Sequence, residues 1–382
     1  MSIDLATVRA REFPWADAGT AYLNHASTGP LPLRTVDAVN AFTTRRGRPW
    51  TIPDSELFQT LATARARCAR LIGARPAEIA LQTNTSYGIN VAARALPFES
   101  GDVILTFDRE FPANVYPWMA LESQGVSLRR IPCRDEIPDE EALMAALDFD
   151  RVRCVSVSWV QFSSGYRVDL ERIGTACRER GIWFVVDAIQ GLGALPLDVR
   201  RVPIDILACG AQKWLLGPWG AGFVYVREQL ARTLEPSAVG WLAVRSSDDF
   251  ARMVDYDMTW HDDARRFEVV TMPFQDIAGF IASLDLFEEV GPGRIASRVE
   301  ALADRIISRA EASADLTLVT PSARAQRAGV LSVRPRDVAA ASRRLLDARV
   351  IHSVREGAIR LAPHFYNTDA EIDRAMDALV GS

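Results

Sequence analysis

Residues 205–226, DILACGAQKWLLGPWGAGFVYV, place the only lysine of the 382-residue chain between two apolar runs. The runs DILACG and GFVYV are short and β-rich, which predicts two buried strands. Lys213 lies just beyond the first run, before a glycine-rich segment at 217–222. An ammonium group is strongly hydrated and costly to bury, so a surface lysine at a strand end is the ordinary interpretation. The rest of the sequence has to decide between that interpretation and a chemical role.

Strand-like and helix-like segments alternate from about residue 60 to residue 230. Further apolar runs are EIALQT, DVILTF, VRCVSVSWV and IWFVVDA, and helical patterns such as GINVAARAL, NVYPWMALESQ and LERIGTACRERG lie between them. This alternation predicts an α/β fold with a mostly parallel sheet sandwiched by helices. Such sheets bind ligands beyond the C-terminal ends of their strands, so catalytic residues should follow the strands directly.

The pattern changes after about residue 280. Long helical patterns lead into the short strands LTLVT, GVLSVRP and AIRLAP, with the helix DVAAASRRLLDARV between the last two. We therefore predict a large domain over residues 16–280 and a smaller α+β domain formed by residues 1–15 and 281–382.

Composition excludes several classes of protein. The chain has 44 basic and 49 acidic residues, without the basic excess of a nucleic-acid-binding protein. No apolar run approaches the roughly 18 residues that span a bilayer, and the N-terminus lacks a signal-peptide pattern. The five cysteines form no CxxC pair and the four histidines lack metal-ligand spacing. We expect a cytoplasmic protein with reduced thiols and without a metal, nucleic-acid or membrane partner.

Asp187 is a carboxylate that could share a pocket with Lys213. It ends the apolar run IWFVVD, and adjacent strand ends can bring both side chains to one pocket. A lysine and a carboxylate on opposite sides of a small aromatic cofactor suit pyridoxal phosphate. The lysine forms a Schiff base and the carboxylate keeps the pyridine nitrogen protonated. On these two residues alone, a surface lysine and a turn-capping aspartate remain the alternatives.

Two loops supply the other contacts that this cofactor needs. QTNTSYGIN at 82–90 follows a strand and opens a helix, so its amides and the hydroxyls of Thr85 and Ser86 suit a phosphate, although a simple N-cap explains them equally. DREFPANVYPW at 108–118 follows another strand and presents Phe111, which can stack on the ring or pack in the core.

The order and spacing of these motifs resemble the class V aminotransferase family of fold-type I pyridoxal-phosphate enzymes, which includes cysteine desulfurases, kynureninase and isopenicillin-N epimerase. The resemblance extends from AYLNHASTGPLP (21–32) to IRLAPHFYNTDAEID (359–373). It implies an amino-acid substrate and a homodimer with cofactor sites near the interface.

The resemblance also implies a role for individual residues. Lys213 matches the Schiff-base lysine, Asp187 the pyridinium partner and Arg360 the arginine that binds the substrate α-carboxylate. Gln190 matches the residue that hydrogen-bonds the ring hydroxyl, and Thr271 matches a threonine that reaches the phosphate of the neighbouring subunit's cofactor. The other implied cofactor contacts are Asn84, Thr85, Ser86, Phe111, Gln161, Gln212 and Trp241, and the other implied substrate contacts are Asn24 and His25.

The cofactor motifs do not choose a reaction. Transamination, β-elimination as in a C–S lyase or kynureninase, and epimerisation all begin with loss of the α-proton, and transamination is slightly favoured by the family label. A non-enzymatic binding module is disfavoured because it has no need of Lys213, Asp187 and Arg360 together. A persulfide-forming desulfurase is also disfavoured, because residues 347–360 contain no cysteine before the carboxylate-binding arginine.

Overall fold

The structure is a computed structural model that describes residues 4–269 and 271–381, so residues 1–3 and 382 of the predicted small domain lie outside the described residues. The helices are α1 (Leu5–Glu12), α2 (Leu33–Arg46), α3 (Asp54–Ile72), α4 (Thr85–Ala95), α5 (Tyr116–Met119), α6 (Glu140–Ala146), α7 (Leu170–Glu179), α8 (Glu228–Thr233), α9 (Phe274–Val290), α10 (Pro292–Glu311), α11 (Val338–Asp347) and α12 (Asp369–Val380). The strands are β1 (Ala21–Tyr22), β2 (Ile79–Gln82), β3 (Val103–Phe107), β4 (Ser127–Ile131), β5 (Cys133–Arg134), β6 (Ile137–Pro138), β7 (Val152–Ser158), β8 (Trp183–Asp187), β9 (Ile206–Gly210), β10 (Gly222–Val226), β11 (Leu316–Leu318), β12 (Leu331–Pro335), β13 (Val350–Ile351), β14 (Ser353–Arg355) and β15 (Ala358–Leu361).

A seven-stranded sheet in the order β2-β10-β9-β8-β7-β3-β4 forms the centre of the large lobe. Its strands are parallel except β10, which runs antiparallel to both β2 and β9. Successive side chains of a strand face opposite sides of the sheet, and here both sides are buried. Leu207 of β9 belongs to one apolar cluster and Ala208 to another. The predicted α/β fold with a mostly parallel sheet between helices is therefore confirmed.

The small lobe is built on a four-stranded antiparallel sheet in the order β11-β12-β15-β14. The apolar faces of α10, α11 and α12 cover it in a third cluster. β1 also contributes to this cluster and pairs with β13, so the chain visits the small lobe before it builds the large sheet. α9 is one continuous helix across residue 280 and packs on α2 and α3. The division at residue 280 stays a prediction.

Two local features differ from the sequence expectation. The segment NVYPWMALESQ forms only the four-residue α5, followed by a 3₁₀ turn over Ala120–Gln124. Pro117 lies in that short helix, where a proline is accepted only in the first turn. The hairpin of β14 and β15 was not anticipated as a pair, and it carries Arg360. Among the described residues, no helix is long and apolar enough to cross a membrane.

Candidate active site

Lys213 and Asp187 lie beyond the ends of neighbouring parallel strands. Asp187 is the last residue of β8 and pairs in register with Ala208 of β9, and Lys213 follows β9 by three residues. Asp187 is buried and its Oδ1 accepts a hydrogen bond from the Ile189 amide at 3.0 Å. Burial raises the pKa of Asp187 to about 6, opposed by that hydrogen bond and by the charge of Lys213.

Lys213 has a depressed pKa, and among the residues that the structure describes no carboxylate is hydrogen-bonded to it. Burial lowers the pKa of Lys213 to about 8; the charge of Asp187 opposes this shift and the charges of Arg360 and Arg355 reinforce it. Its Nζ lies 5.5 Å from the centre of the Phe111 ring. An amine that titrates near neutral pH can act as a nucleophile and as a base, which an exposed lysine does poorly.

The N-terminus of α4 forms one end of the pocket. Asn84 caps the helix by accepting a hydrogen bond from the Tyr87 amide at 2.9 Å, so its side chain is already committed. Within the described residues, the amides of Thr85 and Ser86 have no acceptor, which leaves two N–H groups and the positive end of the helix dipole for an anion. The Thr85 hydroxyl accepts from the Gly210 amide at 2.9 Å, at the end of β9.

Gln212 reaches the same end of the pocket. A Cβ added at Gly210 would lie 2.4 Å from Gln212 Oε1 and 3.3 Å from the Thr85 hydroxyl, so the glycine makes room for both polar groups. The structure therefore brings Thr85 and Gln212 together beside the free amides of α4.

Phe111 lies in the loop after β3 and is 44% exposed, so part of its ring remains uncovered by the protein. It contacts Phe162 edge-on, with ring centres 5.3 Å apart. Gln161 is buried in the loop after β7, where its Nε2 donates to Glu110 at 2.8 Å.

Arg360 is a buried arginine without an acidic partner among the described residues. Its three nitrogens donate to the Ser353 hydroxyl at 3.1 Å, the Phe162 carbonyl at 2.8 Å and the Ser27 hydroxyl at 2.7 Å. These neutral acceptors orient the guanidinium but leave its charge unbalanced. A buried charge of this kind suits an anionic ligand such as a carboxylate.

The geometry at His25 disfavours the predicted substrate contact, which stays untested. It is fully buried, its Nδ1 contacts the Ala362 carbonyl at 2.7 Å and its Nε2 contacts the Tyr366 hydroxyl at 2.7 Å. Burial holds the pKa of His25 well below its usual value. With both ring nitrogens engaged, His25 lies in the core, and its predicted substrate contact stays a prediction that this geometry disfavours. Asn24 differs, because its Oδ1 is buried and has no hydrogen-bond partner among the described residues.

The amide of Gln190 is also engaged by the protein. Its Nε2 donates to the Ala26 carbonyl at 2.9 Å and its Oε1 accepts from Trp214 Nε1 at 2.8 Å. The geometry favours a structural tie between three segments over the predicted contact with the ring hydroxyl.

Trp241 and Thr271 contact each other at the surface. Trp241 Nε1 donates to the Thr271 hydroxyl at 3.3 Å, and the indole packs against Phe58 and Phe250. Both residues are exposed. The role that the resemblance implies for Thr271, at the cofactor of a second subunit, stays a prediction, and so does the cofactor contact of Trp241.

Sequence reasoning missed two charged residues of this region. Glu110 is buried directly before Phe111, and no periodicity in the sequence distinguishes it from a surface glutamate. Arg355 lies on the same face of the β14–β15 hairpin as Ser353 and Arg360, as the two-residue alternation of a strand requires. Arg355 is the last residue of the short strand β14, and this position at a strand end is the signal in the sequence that could have identified it.

The residues present fit pyridoxal phosphate. The uncommitted amides of α4 suit the phosphate, Asp187 suits a protonated ring nitrogen and Lys213 suits the aldehyde. Arg360 and the unpartnered Asn24 Oδ1 remain for an amino-acid substrate. Each of these groups has an unmet electrostatic or hydrogen-bonding need in the protein alone.

Comparison with known proteins agrees with this geometry. The sequence profile described as Aminotransferase class-V matches residues 21–374. The chain belongs to the class V aminotransferase family. It is 32% identical to the uncharacterized aminotransferase YcbU of Bacillus subtilis over 87% of this chain and 86% of that protein. It is 31% identical to isopenicillin N epimerase of Streptomyces clavuligerus over 95% of both chains.

Solved structures confirm the fold. The cystine C-S lyase C-DES, solved with its product cysteine persulfide, superposes with a TM-score of 0.88 at 23% identity, covering 97% of this chain and 99% of that one. The fold-type I architecture and the family predicted from the sequence are thus confirmed. Pyridoxal phosphate is the cofactor of that family, so the cofactor prediction is confirmed at the level of the family.

Proposed function

We propose that this protein is a pyridoxal-phosphate-dependent enzyme that acts on an amino acid, with Lys213 as the residue that binds the cofactor. The observation that carries the proposal is the position of the only lysine, which lies partly buried near Asp187 at the ends of neighbouring strands. The chain has 43 arginines. Arginine fills every other basic position but cannot lose its proton, so it cannot replace an amine that must react with an aldehyde.

Each site residue has a defined task in this proposal. Bound pyridoxal phosphate supplies the electron sink that stabilises a negative charge at the substrate α-carbon. Asp187 holds a proton at the ring nitrogen, and Arg360 receives the substrate carboxylate with two parallel hydrogen bonds. Lys213 would hold the cofactor, and its amine would take the proton from the substrate α-carbon. Phe111 would pack against the cofactor ring.

Transamination is the reaction that we favour. It needs one base that returns the proton to a different carbon on the same face, and Lys213 suits this task. Inversion at the α-carbon needs a proton donor on the other face, and the ring of Phe111 carries no acidic proton. Epimerisation is the second candidate because of the similarity to isopenicillin N epimerase over nearly the whole chain.

Product analysis distinguishes these reactions. Transamination yields one equivalent of a 2-oxo acid without ammonia, elimination yields a 2-oxo acid with ammonia, and epimerisation yields only the opposite enantiomer. We expect the first pattern in a screen of amino acids. Release of ammonia with the 2-oxo acid, or inversion alone, would show that the favoured reaction is wrong.

We also propose that the protein is not a persulfide-forming desulfurase. Cys68, Cys154, Cys177 and Cys209 are buried, and Cys133 donates its thiol to the Asp108 carbonyl at 3.0 Å. Burial raises the pKa of Cys133 to about 11, so it lacks the thiolate that attacks sulfur. Incubation with cysteine should leave all five cysteines free of persulfide by mass spectrometry.

A homodimer in the cytoplasm is part of the same proposal. The exposed pair Trp241 and Thr271 supports it, because the resemblance implies a role for Thr271 at the cofactor of the neighbouring subunit. The five free cysteines support a reducing compartment.

The test of the function uses the fact that the chain has one lysine. Borohydride should attach one pyridoxyl group to Lys213 in the parent protein, detected by intact mass and peptide mapping, and bleach its visible band. Lys213→Ala and Lys213→Arg should show neither result, and the arginine variant controls for the lost charge. Incorporation of the group in either variant would place the cofactor elsewhere, at the terminal amine.

A further inference from the structure

The turn that follows Lys213 is held in shape by other parts of the chain. On its N-terminal side, the Gln212 carbonyl accepts a hydrogen bond from the Gly29 amide at 2.8 Å. Within the turn, the Lys213 carbonyl accepts from the Leu216 amide at 3.2 Å. Leu216 has a φ of +54°, a left-handed conformation that is costly for a leucine. A strained residue of this kind persists only where the surrounding structure holds it.

His364 supplies the contact on the C-terminal side of Lys213. It is fully buried, and its Nε2 donates to the Trp214 carbonyl at 2.9 Å. The Phe365 amide donates to its Nδ1 at 2.8 Å, so the ring proton belongs on Nε2. Burial lowers the pKa of His364 to about 4, against the opposing effect of the Trp214 carbonyl, and this keeps the ring neutral near pH 7. The imidazole is therefore a fixed single donor to the turn.

The same histidine connects two groups that the proposed reaction needs in one place. Arg360 lies on β15 in the sheet of the small lobe, and Lys213 follows β9 in the sheet of the large lobe. His364 follows β15 by three residues. Among the described residues, its contact with Trp214 is the one hydrogen bond between residues 358–366 and residues 211–217. It therefore links the segment of the arginine directly to the segment of the lysine.

We propose that His364 is a positioning residue that, through the Trp214 carbonyl, holds Lys213 where its amine reaches the α-proton of a substrate bound at Arg360. The inference rests on the proposed function. A displacement of about 1 Å in a reacting group can lower a rate about a hundredfold. Arg360 keeps its own contacts without His364, so loss of the link should slow proton removal and leave substrate binding unchanged.

Three substitutions separate the donated hydrogen bond from the rest of the side chain. His364→Gln keeps an N–H donor on a side chain long enough to reach the Trp214 carbonyl. His364→Asn is one methylene shorter, so it can still accept from the Phe365 amide but cannot reach Trp214. His364→Phe fills the space with a ring that has no donor, and it repeats the test without the small cavity that asparagine leaves.

The holoenzyme is tested with the amino acid that the parent turns over fastest. We expect spectral titration to give the parent affinity for this substrate in all three variants. The single-turnover rate of α-proton removal should fall about a hundredfold in His364→Asn and His364→Phe, and it should stay close to the parent rate in His364→Gln. This rate is common to transamination, elimination and epimerisation, so the test does not depend on which reaction follows.

The apoprotein gives a second measurement that does not depend on activity. Without the donor from His364, the turn should open to water more often. Hydrogen exchange of residues 210–217 should therefore be faster in His364→Asn and His364→Phe than in the parent or His364→Gln. Competitive acylation should show the pKa of Lys213 rising from about 8 toward its ordinary value in the same two variants, because burial is what lowers it.

Ile372→Val is the matched control for lost stability. Ile372 is fully buried on α12, in the apolar cluster of the small lobe that does not include Trp214. Removing its methyl group should lower the melting temperature. It should not change the exchange of residues 210–217 or the rate of α-proton removal.

Parent rates and parent exchange in His364→Asn and His364→Phe would overturn the inference. A His364→Gln protein as slow as these two would overturn it as well, because the donated hydrogen bond would not be the cause. Losses of substrate affinity equal to the losses of rate would leave only a structural role. Each of these outcomes refutes the inference alone, whereas a parent protein that does not bind pyridoxal phosphate refutes the proposed function.

Discussion

At the scale of single residues, the site depends on groups whose ordinary protonation or pairing is disturbed by burial. Lys213 and Asp187 have pKa values displaced toward each other, to about 8 and about 6. Burial disfavours the charged form of each group, and their mutual attraction only partly restores it. Between these values Asp187 is ionised while a growing fraction of Lys213 is neutral, which is the combination that cofactor binding requires.

We therefore predict that the rate of pyridoxal phosphate capture by the apoprotein rises with pH and is half-maximal near pH 8, because only the neutral amine attacks an aldehyde. An unperturbed lysine would reach this point near pH 10.4. Competitive acylation with peptide mapping measures the titration of Lys213 directly, since no other lysine reacts and the terminal amine maps to a different peptide. A midpoint above pH 10 would contradict the burial of this amine.

Arg360 provides a second prediction at this scale. Arg360→Lys keeps a positive charge but loses the two-pronged donor, so binding of an amino-acid substrate should weaken by about 1.5–3 kcal/mol, or roughly ten- to a hundredfold. The control is the corresponding decarboxylated amine, whose affinity should be equal in parent and variant. Spectral titration of the holoenzyme measures both. A parent enzyme that binds acid and amine equally would refute the assignment.

At the scale of elements, the segment between β1 and α2 fixes the backbone at Lys213. The Gly29 amide donates to the Gln212 carbonyl at 2.8 Å. A Cβ at Gly29 would lie 2.1 Å from the Lys213 carbonyl oxygen and 2.8 Å from the Leu216 side chain. Gly29 does not have a positive φ. A glycine is therefore required here because two backbones approach each other closely.

Gly29→Ala should therefore displace the Lys213 segment and lower both cofactor affinity and thermal stability. Overpacking of this kind costs about 1–3 kcal/mol. Gly293→Ala is the matched control, because nothing lies within 4 Å of its added Cβ and alanine favours the α10 helix. Calorimetric melting and cofactor titration of the two variants test the difference. A Gly29→Ala protein that matches the control in both measurements would disprove the close approach.

At the scale of the whole molecule, an irregular segment exposes many apolar side chains. Between α8 and α9, Phe250, Met253, Val254, Tyr256 and Met258 are all at least 43% exposed. Phe250 packs against Trp241, which contacts Thr271. Exposed apolar side chains concentrated in one segment favour an interface, and a second copy related by two-fold symmetry is the common solution.

We predict that sedimentation equilibrium gives a mass of twice 42.2 kDa for the parent protein. Val254→Asp, at a position 75% exposed, should shift the protein toward monomer and lower its cofactor affinity. Leu346→Asp changes an equally apolar residue, 54% exposed on α11, and should leave the mass unchanged. A parent monomer with full activity would contradict the shared site that Thr271 implies.

The sequence by itself predicted the alternating strands and helices of the large sheet, the family, and Lys213 and Asp187 at the ends of strands, while the role of Arg360 came from the resemblance. These features are local: apolar runs of strand length report burial, and a lysine or aspartate directly after such a run reports the edge where ligands bind. The composition also points to Lys213, because it is the single lysine in a chain with 43 arginines. The sequence also showed that no cysteine precedes Arg360.

Only the tertiary structure decided how side chains that are distant in sequence share hydrogen bonds. The ring nitrogens of His25 contact the Ala362 carbonyl and the Tyr366 hydroxyl, and the side-chain amide of Gln190 is hydrogen-bonded to Ala26 and Trp214. Neither set of contacts can be read from the sequence. Glu110 accepts hydrogen bonds from Ser158 and Gln161, which lie about fifty residues away in the sequence. The physical reason is that a hydrogen bond depends on the positions of both partners to within a fraction of an ångström. No periodicity within one segment records where the second partner will lie.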